Sequence, residues 1–546
     1  MDQKQHKRIR EMTKRTLLAV AITAIGSASV QAAPFLPMDA RGLAMGNTGV
    51  ASAKRAHAPA YNPSLLSQAE YDDDFAILLP QAGVTVADDD EVVNTFQDIN
   101  EDLVPQFEDM FDDNMTGNLN ESLDNVDSAA NALSDIMPSD ISAINNQSAK
   151  IAEVRAANQN LKDALADLNS QLSTLDNLNS ELTSALNDVS GSQLRARLGV
   201  STAIAFPGKE FAAALSVSGE ATFSGRALFS NEDNTLINSY SDAAQGMTAA
   251  GNSLTSTIDS GLNSAENDSL TQDELDAANN QVDAVQNYTS DTVTTAAGDI
   301  NIIENGQLSS AAEDAEMNSY LQVVGVAVTN IGVSFSREFT IADQKVAIGI
   351  TPKLQRVMTL HYVAEADYDG EIDADQLKDD AETFNQFNMD VGASYRFGST
   401  NKWVVGVVAK NLFGGEFETS QTMVRGSADN RMVDGPTIHL DPQFRAGVAF
   451  NGDWTTVAID ADLMENKPVA FEQPTQYVNL GAEFDVFETV QFRAGYRTNL
   501  ATSQSDVASI GFGFSPFGVH IDIAAMANPD RVEKEAGVAL ETGFYF

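Results

Sequence analysis

The sequence predicts an all-β transmembrane barrel of about fourteen antiparallel strands, with large α-helical, coiled-coil-like insertions in its first two extracellular loops. Three observations predict it. From about residue 196 onward apolar and polar residues alternate with period 2, the mark of strands whose two faces meet different surroundings. The stretches between these segments are short and long in strict alternation, as in barrels with tight turns at one rim and long loops at the other. Beyond the N-terminal segment no window approaches the roughly 18–20 consecutive apolar residues of a spanning helix, so a membrane crossing has to be made of strands.

Taken in order, the segments place strands near 74–87, 196–206, 211–229, 320–339, 345–366, 384–398, 402–416, 440–451, 454–464, 475–486, 489–500, 505–515, 517–527 and 535–546. The later ones carry the pattern best. Val519, Ile521, Ile523 and Ala525 alternate with His520, Asp522, Ala524 and Met526; Val478, Leu480, Ala482 and Phe484 alternate with Tyr477, Asn479, Gly481 and Glu483. Short connections fall around Pro207-Gly208, Ile341–Asp343, Ser399–Asn401, Gly452-Asp453, Phe487-Glu488 and Pro516, where turn-forming residues cluster. An even strand number puts both termini on the short-turn side, read as the periplasm, and the long loops outside. The last strand sets Val538, Leu540, Phe544 and Phe546 on one face, and its terminal aromatic, Phe546, resembles the signal that hands barrels to the barrel-assembly machinery.

The N-terminal basic residues Lys4, Lys7, Arg8, Arg10, Lys14 and Arg15 precede an apolar run from Leu17 to Ile25 and small residues from Ser27 to Ala33, the pattern of a secretory signal peptide over 1–32. The chain is therefore expected to be exported to the outer membrane of a Gram-negative bacterium. The remainder divides into an N-terminal segment (33–73) and the barrel (74–546), interrupted by insertions at 88–195 and 230–319. In the first insertion Ile151, Val154, Leu161, Leu165, Leu168, Leu172, Leu175 and Leu182 follow a 3–4 spacing, which predicts a long amphipathic helix or helical hairpin. The second is more polar, with weaker helical spacing at Leu254, Ile258 and Leu262 and at Leu275, Val282 and Val285; it is the nearest partner for the first one's apolar stripe.

Composition narrows the chemistry. The chain has no cysteine, which removes disulfides, thiolate catalysis and cysteine-based zinc sites. With 78 acidic against 32 basic residues and a net charge of -46, it is a poor direct ligand for nucleic acid. Past the signal the histidines are His57, His361, His439 and His520, none in a metalloprotease helix motif, and no nucleophile elbow or phosphate-binding loop is present. No catalytic site and no resident cofactor are expected.

By parity, the inward faces of the C-terminal strands carry Arg445, Asp460, Asp462, Glu483, Arg493, Arg497 and Asp522, with His520 beside the last. Two readings stand: cross-strand pairs that knit the wall, or the lining of a polar permeation path. Residues 365–376 match a calcium-binding loop at several positions, with Asp367, Asp369 and Asp373 as ligands. They depart from it at Glu365 and at Gln376, which lacks the closing bidentate carboxylate. A weak calcium site or a solvated acidic turn both fit. The runs Asp72–Asp74 and Asp88–Glu91 mark where the first strand leaves the membrane.

The glycine-rich stretch Ala40–Ala51, containing Gly46 and Gly49, followed by Ala58–Leu65 with Asn62-Pro63-Ser64, resembles the N-terminal signature of the FadL-like long-chain fatty-acid transporter barrels. In that superfamily a glycine-rich stretch and an Asn-Pro-Ala motif form a hatch inside a fourteen-stranded barrel; here Ser64 replaces the alanine. Ala409–Phe413, Asp462–Pro468, Phe492–Arg497 and Ser515–His520 resemble the exported conjugal-transfer TraF-like barrels, which are unrelated to the thioredoxin-like TraF with its paired cysteines. The resemblance implies a hatch built on Gly46, Gly49, Asn62 and Pro63, and a non-catalytic part in plasmid transfer through mating-apparatus assembly or cell-surface contact. It implies as partners outer-membrane lipid, the assembly machinery, and other conjugation proteins or the recipient surface. The wider superfamily implies the alternative of a carrier for hydrophobic small molecules, and a barrel that only displays partners is a third reading. A carrier requires a connected apolar tunnel and a kinked, hydrogen-bond-poor strand, a transfer component a plugged lumen.

Overall fold

The structure is a computed structural model describing residues 35–68, 75–88, 90–111, 118–313, 315, 317–341, 344–365, 380–426, 430–466, 471–487, 489–502 and 505–545. The signal segment, the acidic-loop residues Asp367, Asp369 and Asp373, the Asp72–Asp74 run and Phe546 lie outside these.

Fourteen antiparallel strands close into one barrel in sequence order, the last pairing with the first. They are β1 (Ala76–Asp88), β2 (Gln193–Phe206), β3 (Ala212–Leu228), β4 (Tyr320–Ile341), β5 (Gln344–Glu365), β6 (Glu382–Phe397), β7 (Trp403–Lys410), β8 (Gln443–Asn451), β9 (Thr455–Asp462), β10 (Tyr477–Val486), β11 (Val490–Asn499), β12 (Val507–Phe514), β13 (Val519–Ala527) and β14 (Ala536–Tyr545). Each corresponds to one predicted segment. The largest departure is β7, expected to reach 416 and ending at Lys410. Asn411 and Gly414 adopt left-handed φ of 54° and 59°, and the Asn411 amide leaves the ladder to donate to Asp390 Oδ1 at 2.8 Å. Residues 416–439 then form two small hairpins instead of extending the wall.

Alternation decides the two faces. On β13, Ile521 and Ile523 are 43% and 53% exposed, whereas His520 and Asp522 between them are 5% and 0% exposed. Ile204, Leu215, Ile331, Ile350, Val405, Ile459, Leu480, Ile510 and Leu540 continue this outward apolar band around the wall. At the short-turn rim Phe397–Trp403, Trp403–Phe450 and Trp454–Phe487 make ring contacts at 5.4–6.1 Å. Exposed Phe206, Phe211, Phe339 and Phe517 extend the girdle. An apolar band edged by aromatics is the surface a bilayer solvates.

Residues 35–68, including the short helix α1 (Ala40–Ala44), are buried almost throughout and fill the lumen. The insertions build a separate helical body: α2 (Leu119–Ile136), α3 (Ser148–Val189), α4 (Asn231–Glu266) and α5 (Gln272–Gln286). The α3 stripe Leu161, Leu165, Leu168 and Leu172 shares one core with Met247, Leu254 and Ile258 of α4 and with Leu123, Val126 and Leu133 of α2. At 42 residues α3 is about 63 Å long. Two buried asparagines interrupt its apolar face: Asn158 donates to Thr255 O at 3.1 Å and Asn179 to Ile237 O at 3.0 Å. Such polar pairs fix the register of otherwise sliding apolar stripes. A capping box on Thr271 and Glu274 starts α5.

A candidate functional site in the plugged lumen

The plug is shaped by its own short-range chemistry. Asp39 caps α1, accepting from the Gly42 amide at 2.6 Å, and its other oxygen accepts from the Tyr61 hydroxyl at 2.6 Å. A Cβ at Gly42 or Gly49 would overlap the Tyr61 side chain, so both glycines make room for it. Gly46 holds a φ of 63° that side chains rarely adopt, and a Cβ there would meet the Tyr496 and Leu480 carbonyls at 2.8 and 2.9 Å. Asn62 ties the two halves together: its amide donates to Val50 O at 2.9 Å and its oxygen accepts from Ser64 N at 3.1 Å and Ser64 Oγ at 2.7 Å. The serine in the third motif position therefore closes a turn through its hydroxyl, a contact that alanine would not supply. Pro63 lies against Gly349 of β5.

The wall is cut back to receive this segment. Gly349, Gly392, Gly406, Gly481, Gly495 and Gly511 all face inward, and a Cβ at any of them would overlap Pro63, Asn62, Val50, Thr48, Gly46 or Ala44 respectively. Three pairs of wall glycines stand opposite each other in register: Gly349–Gly392, Gly406–Gly447 and Gly481–Gly495. This glycine belt was not singled out from the sequence, although the parity of the strands places each on the inward face.

The predicted inward charges are all buried. Arg445 pairs with Asp462 at 2.6 Å, a cross-strand contact of β8 and β9, and Arg493 pairs with Glu483 at 2.7 Å and Asp522 at 2.5 Å. Others reach the plug. Glu483 accepts from Arg41 at 2.9 Å, and Asp460 accepts the Gly49 and Val50 amides at 2.7 and 2.9 Å. Arg497 also reaches the plug, donating to Asn47 Oδ1 at 3.2 Å, and pairs with Glu535 at 2.6 Å. Sequence reasoning did not find Arg41, Asp39, Arg197, Glu472, Glu535 or Glu541 as site residues. Arg197 and Glu472 pair at 2.9 Å, buried across 275 positions of chain.

Burial together with the facing Asp39 carboxylate pushes the Tyr61 phenol well above its ordinary value, so it stays a donor. Burial raises Asp39 as well. At the loop side, burial works against the Glu535 charge, but the Arg497, Arg195 and Arg197 guanidiniums outweigh it and hold the carboxyl below its usual range. Of the remaining histidines, His361 is buried between Gln322 and Ser420 O, each at 2.9 Å, while His439 stands at 3.6 Å from exposed Glu416.

Breaking a buried charge pair leaves the partner unsolvated, whereas a rim pair is already in water. Arg493→Met should therefore cost about 3–5 kcal/mol in urea unfolding of the folded barrel in detergent. Lys402→Ala, which removes the exposed Lys402–Asp453 pair, should cost under about 1 kcal/mol. Equal losses would mean that the lumen network is solvated after all.

A cavity of about 90 Å³ lies beside the plug, lined by Phe35, Met38 and Leu78 but also by Glu220, Lys353, Asp390 and Lys410. Next to it β1 loses its register with both neighbours between Leu78 and Ala82, where Pro80 offers no amide to the ladder.

A closed barrel with an apolar outer band and a lumen filled by its own N-terminal segment defines a plugged transmembrane β-barrel. Residues 59–462 match the family described as "F plasmid transfer operon, TraF, protein", and the chain belongs to that family. No curated protein shows significant sequence similarity to it. Among solved structures it is similar to the toluene transporter TbuX of Ralstonia pickettii, at 9% identity and TM-score 0.44, covering 94% of this chain and 99% of that one. It is similar too to the Pseudomonas putida toluene transporter TodX, at 10% identity and TM-score 0.39 over 94% and 99% of the two chains. A Pseudomonas aeruginosa FadL homologue matches at 10% identity and TM-score 0.40 over 95% and 99%.

Proposed function

We propose that the chain is a non-catalytic outer-membrane component of plasmid conjugal transfer, in which a sealed barrel anchors a helical projection that contacts other transfer proteins or the recipient surface. The observation that carries this reading is the plug: residues 35–68 are locked to the wall by buried ion pairs and by the glycine belt. The cavity left beside them, about 90 Å³, is well below the roughly 300 Å³ of a small-molecule site. Its charged lining suits water and wall pairing better than apolar cargo. Membership of the plasmid-transfer family supports the same reading.

Deleting the gene from a plasmid-bearing donor should reduce mating transfer, with restoration by the wild-type chain; unchanged transfer in both liquid and surface mating would sink the proposal. One observation favours a second reading, a carrier of hydrophobic small molecules: the register break in β1 at Leu78–Ala82 lies beside the cavity. If that reading holds, uptake of an apolar aromatic such as toluene falls in the deletion strain while transfer does not.

A further inference from the structure

One group of lumen side chains is only partly used by the pairing network that holds the plug. Where the plug meets β13 and β14, five titratable residues converge: Asp39 and His57 from the plug, His520 and Asp522 from β13, and Glu541 from β14. All are buried, Asp522 and Glu541 completely. They form two overlapping sets of three, Asp39–His57–Glu541 and His520–Asp522–Glu541, in each of which one ligand atom per residue lies within 4.8 Å of the others. Glu541 belongs to both.

Hydrogen bonds account for only part of this cluster. His57 Nε2 lies 2.6 Å from Glu541 Oε1 and 3.9 Å from Asp39 Oδ1. His520 contacts Asp522 through Nε2 and Ser515 through Nδ1, and Asp522 also accepts from Arg493 at 2.5 Å. The second oxygen of Glu541, Oε2, is buried with no hydrogen-bond partner among the described residues. A carboxylate oxygen sealed from water with nothing to accept from is costly, and such groups point to an unfilled partner.

We infer that Asp39, His57 and Glu541 form a binding site for a zinc-class divalent transition-metal ion that pins the plug to the closing strand of the barrel. The donor set is one imidazole nitrogen and two carboxylates, which suits zinc-class ions. Charge also balances: two carboxylates and a neutral histidine offset a dication. The Gly42 amide and Tyr61 hydroxyl already orient Asp39, as outer-shell donors orient ligating carboxylates. His520 and Asp522 also approach Glu541, but the Asp522–Arg493 pair keeps that second carboxylate occupied. The cavity beside the plug is lined by both Asp39 and His57, so two of the three ligands border open space. Because two ligands come from the plug and one from β14, the ion would cross-link them without touching the glycine belt.

The test uses the untagged full-length barrel, purified in detergent, incubated with zinc chloride and exchanged against a weak chelator, with metal counted by mass spectrometry. Wild type should retain about one zinc per chain, and Glu541→Gln and His57→Ala should fall to the blank. His361→Ala, which removes a buried histidine from another part of the lumen, should retain it. X-ray absorption of the zinc-loaded wild type gives a readout independent of any variant's folding, and should show a nitrogen/oxygen shell with imidazole scattering. The proposal is overturned if wild type retains no zinc, if Glu541→Gln and His57→Ala bind as wild type does, or if the absorption spectrum lacks imidazole.

Discussion

Replacing both helical insertions by short turns is expected to abolish plasmid transfer while the barrel still inserts and still shifts mobility on heating. The geometry permits the excision because each insertion leaves and re-enters the wall between paired residues. Asp88 faces Leu194 across β1 and β2, and Leu228 faces Tyr320 across β3 and β4, so a tight turn can join either pair. Both have to go together. Removing 90–191 alone would strip Leu236, Met247, Leu254, Ile258 and Leu262 of α4 of their α3 cover, and each newly exposed side chain forfeits about 1.5–3 kcal/mol. A single deletion should therefore produce a misfolded, protease-sensitive projection, and its loss of transfer would say nothing about contact. Donors carrying the double excision that mate at wild-type frequency would remove the projection from the mechanism and leave the barrel itself to explain transfer.

The second large effect concerns the plug. Gly495→Leu places a side chain where the Gly46 amide now sits: even a Cβ at position 495 would fall 2.0 Å from the Gly46 nitrogen. The expected result is displacement of residues 35–68 and an ion-conducting pore in planar bilayers, where wild type is closed. A fourteen-stranded wall is intermediate between eight-stranded barrels, which side chains alone can fill, and porins with 16–18 strands that leave an aqueous channel, so an emptied lumen should conduct. Ala508→Leu, on the exposed face of the adjacent strand β12, should stay closed and controls for general damage to the wall. A Gly495→Leu barrel that is folded and still closed would mean that the plug is retained without the close approach of glycine to glycine.

Much of this architecture is written locally in the chain. Period-2 alternation located all fourteen strands, because each wall residue meets either lipid or lumen and the choice is made one residue at a time. The same parity turned Arg445, Glu483, Arg493 and Asp522 inward, and 3–4 spacing found α3. Strand ends were less readable: β7 stops at Asn411 because of a backbone conformation and a bond to Asp390, neither of which alternation encodes.

What tertiary structure alone decided is who meets whom. Arg41 and Glu483 are separated by 442 positions, His57 and Glu541 by 484, and pairing over such distances depends on barrel closure and on where the plug lodges. Charges read as wall-to-wall pairs therefore divide between the wall and the plug: Asp460 spends one oxygen on plug amides, and Glu483 is shared by Arg41 and Arg493. The glycine belt shows the same limit. Each glycine's inward parity is local, but that Gly349 stands beside Gly392, and Gly481 beside Gly495, is a matter of register, and the register is set only when neighbouring strands hydrogen-bond around a closed wall.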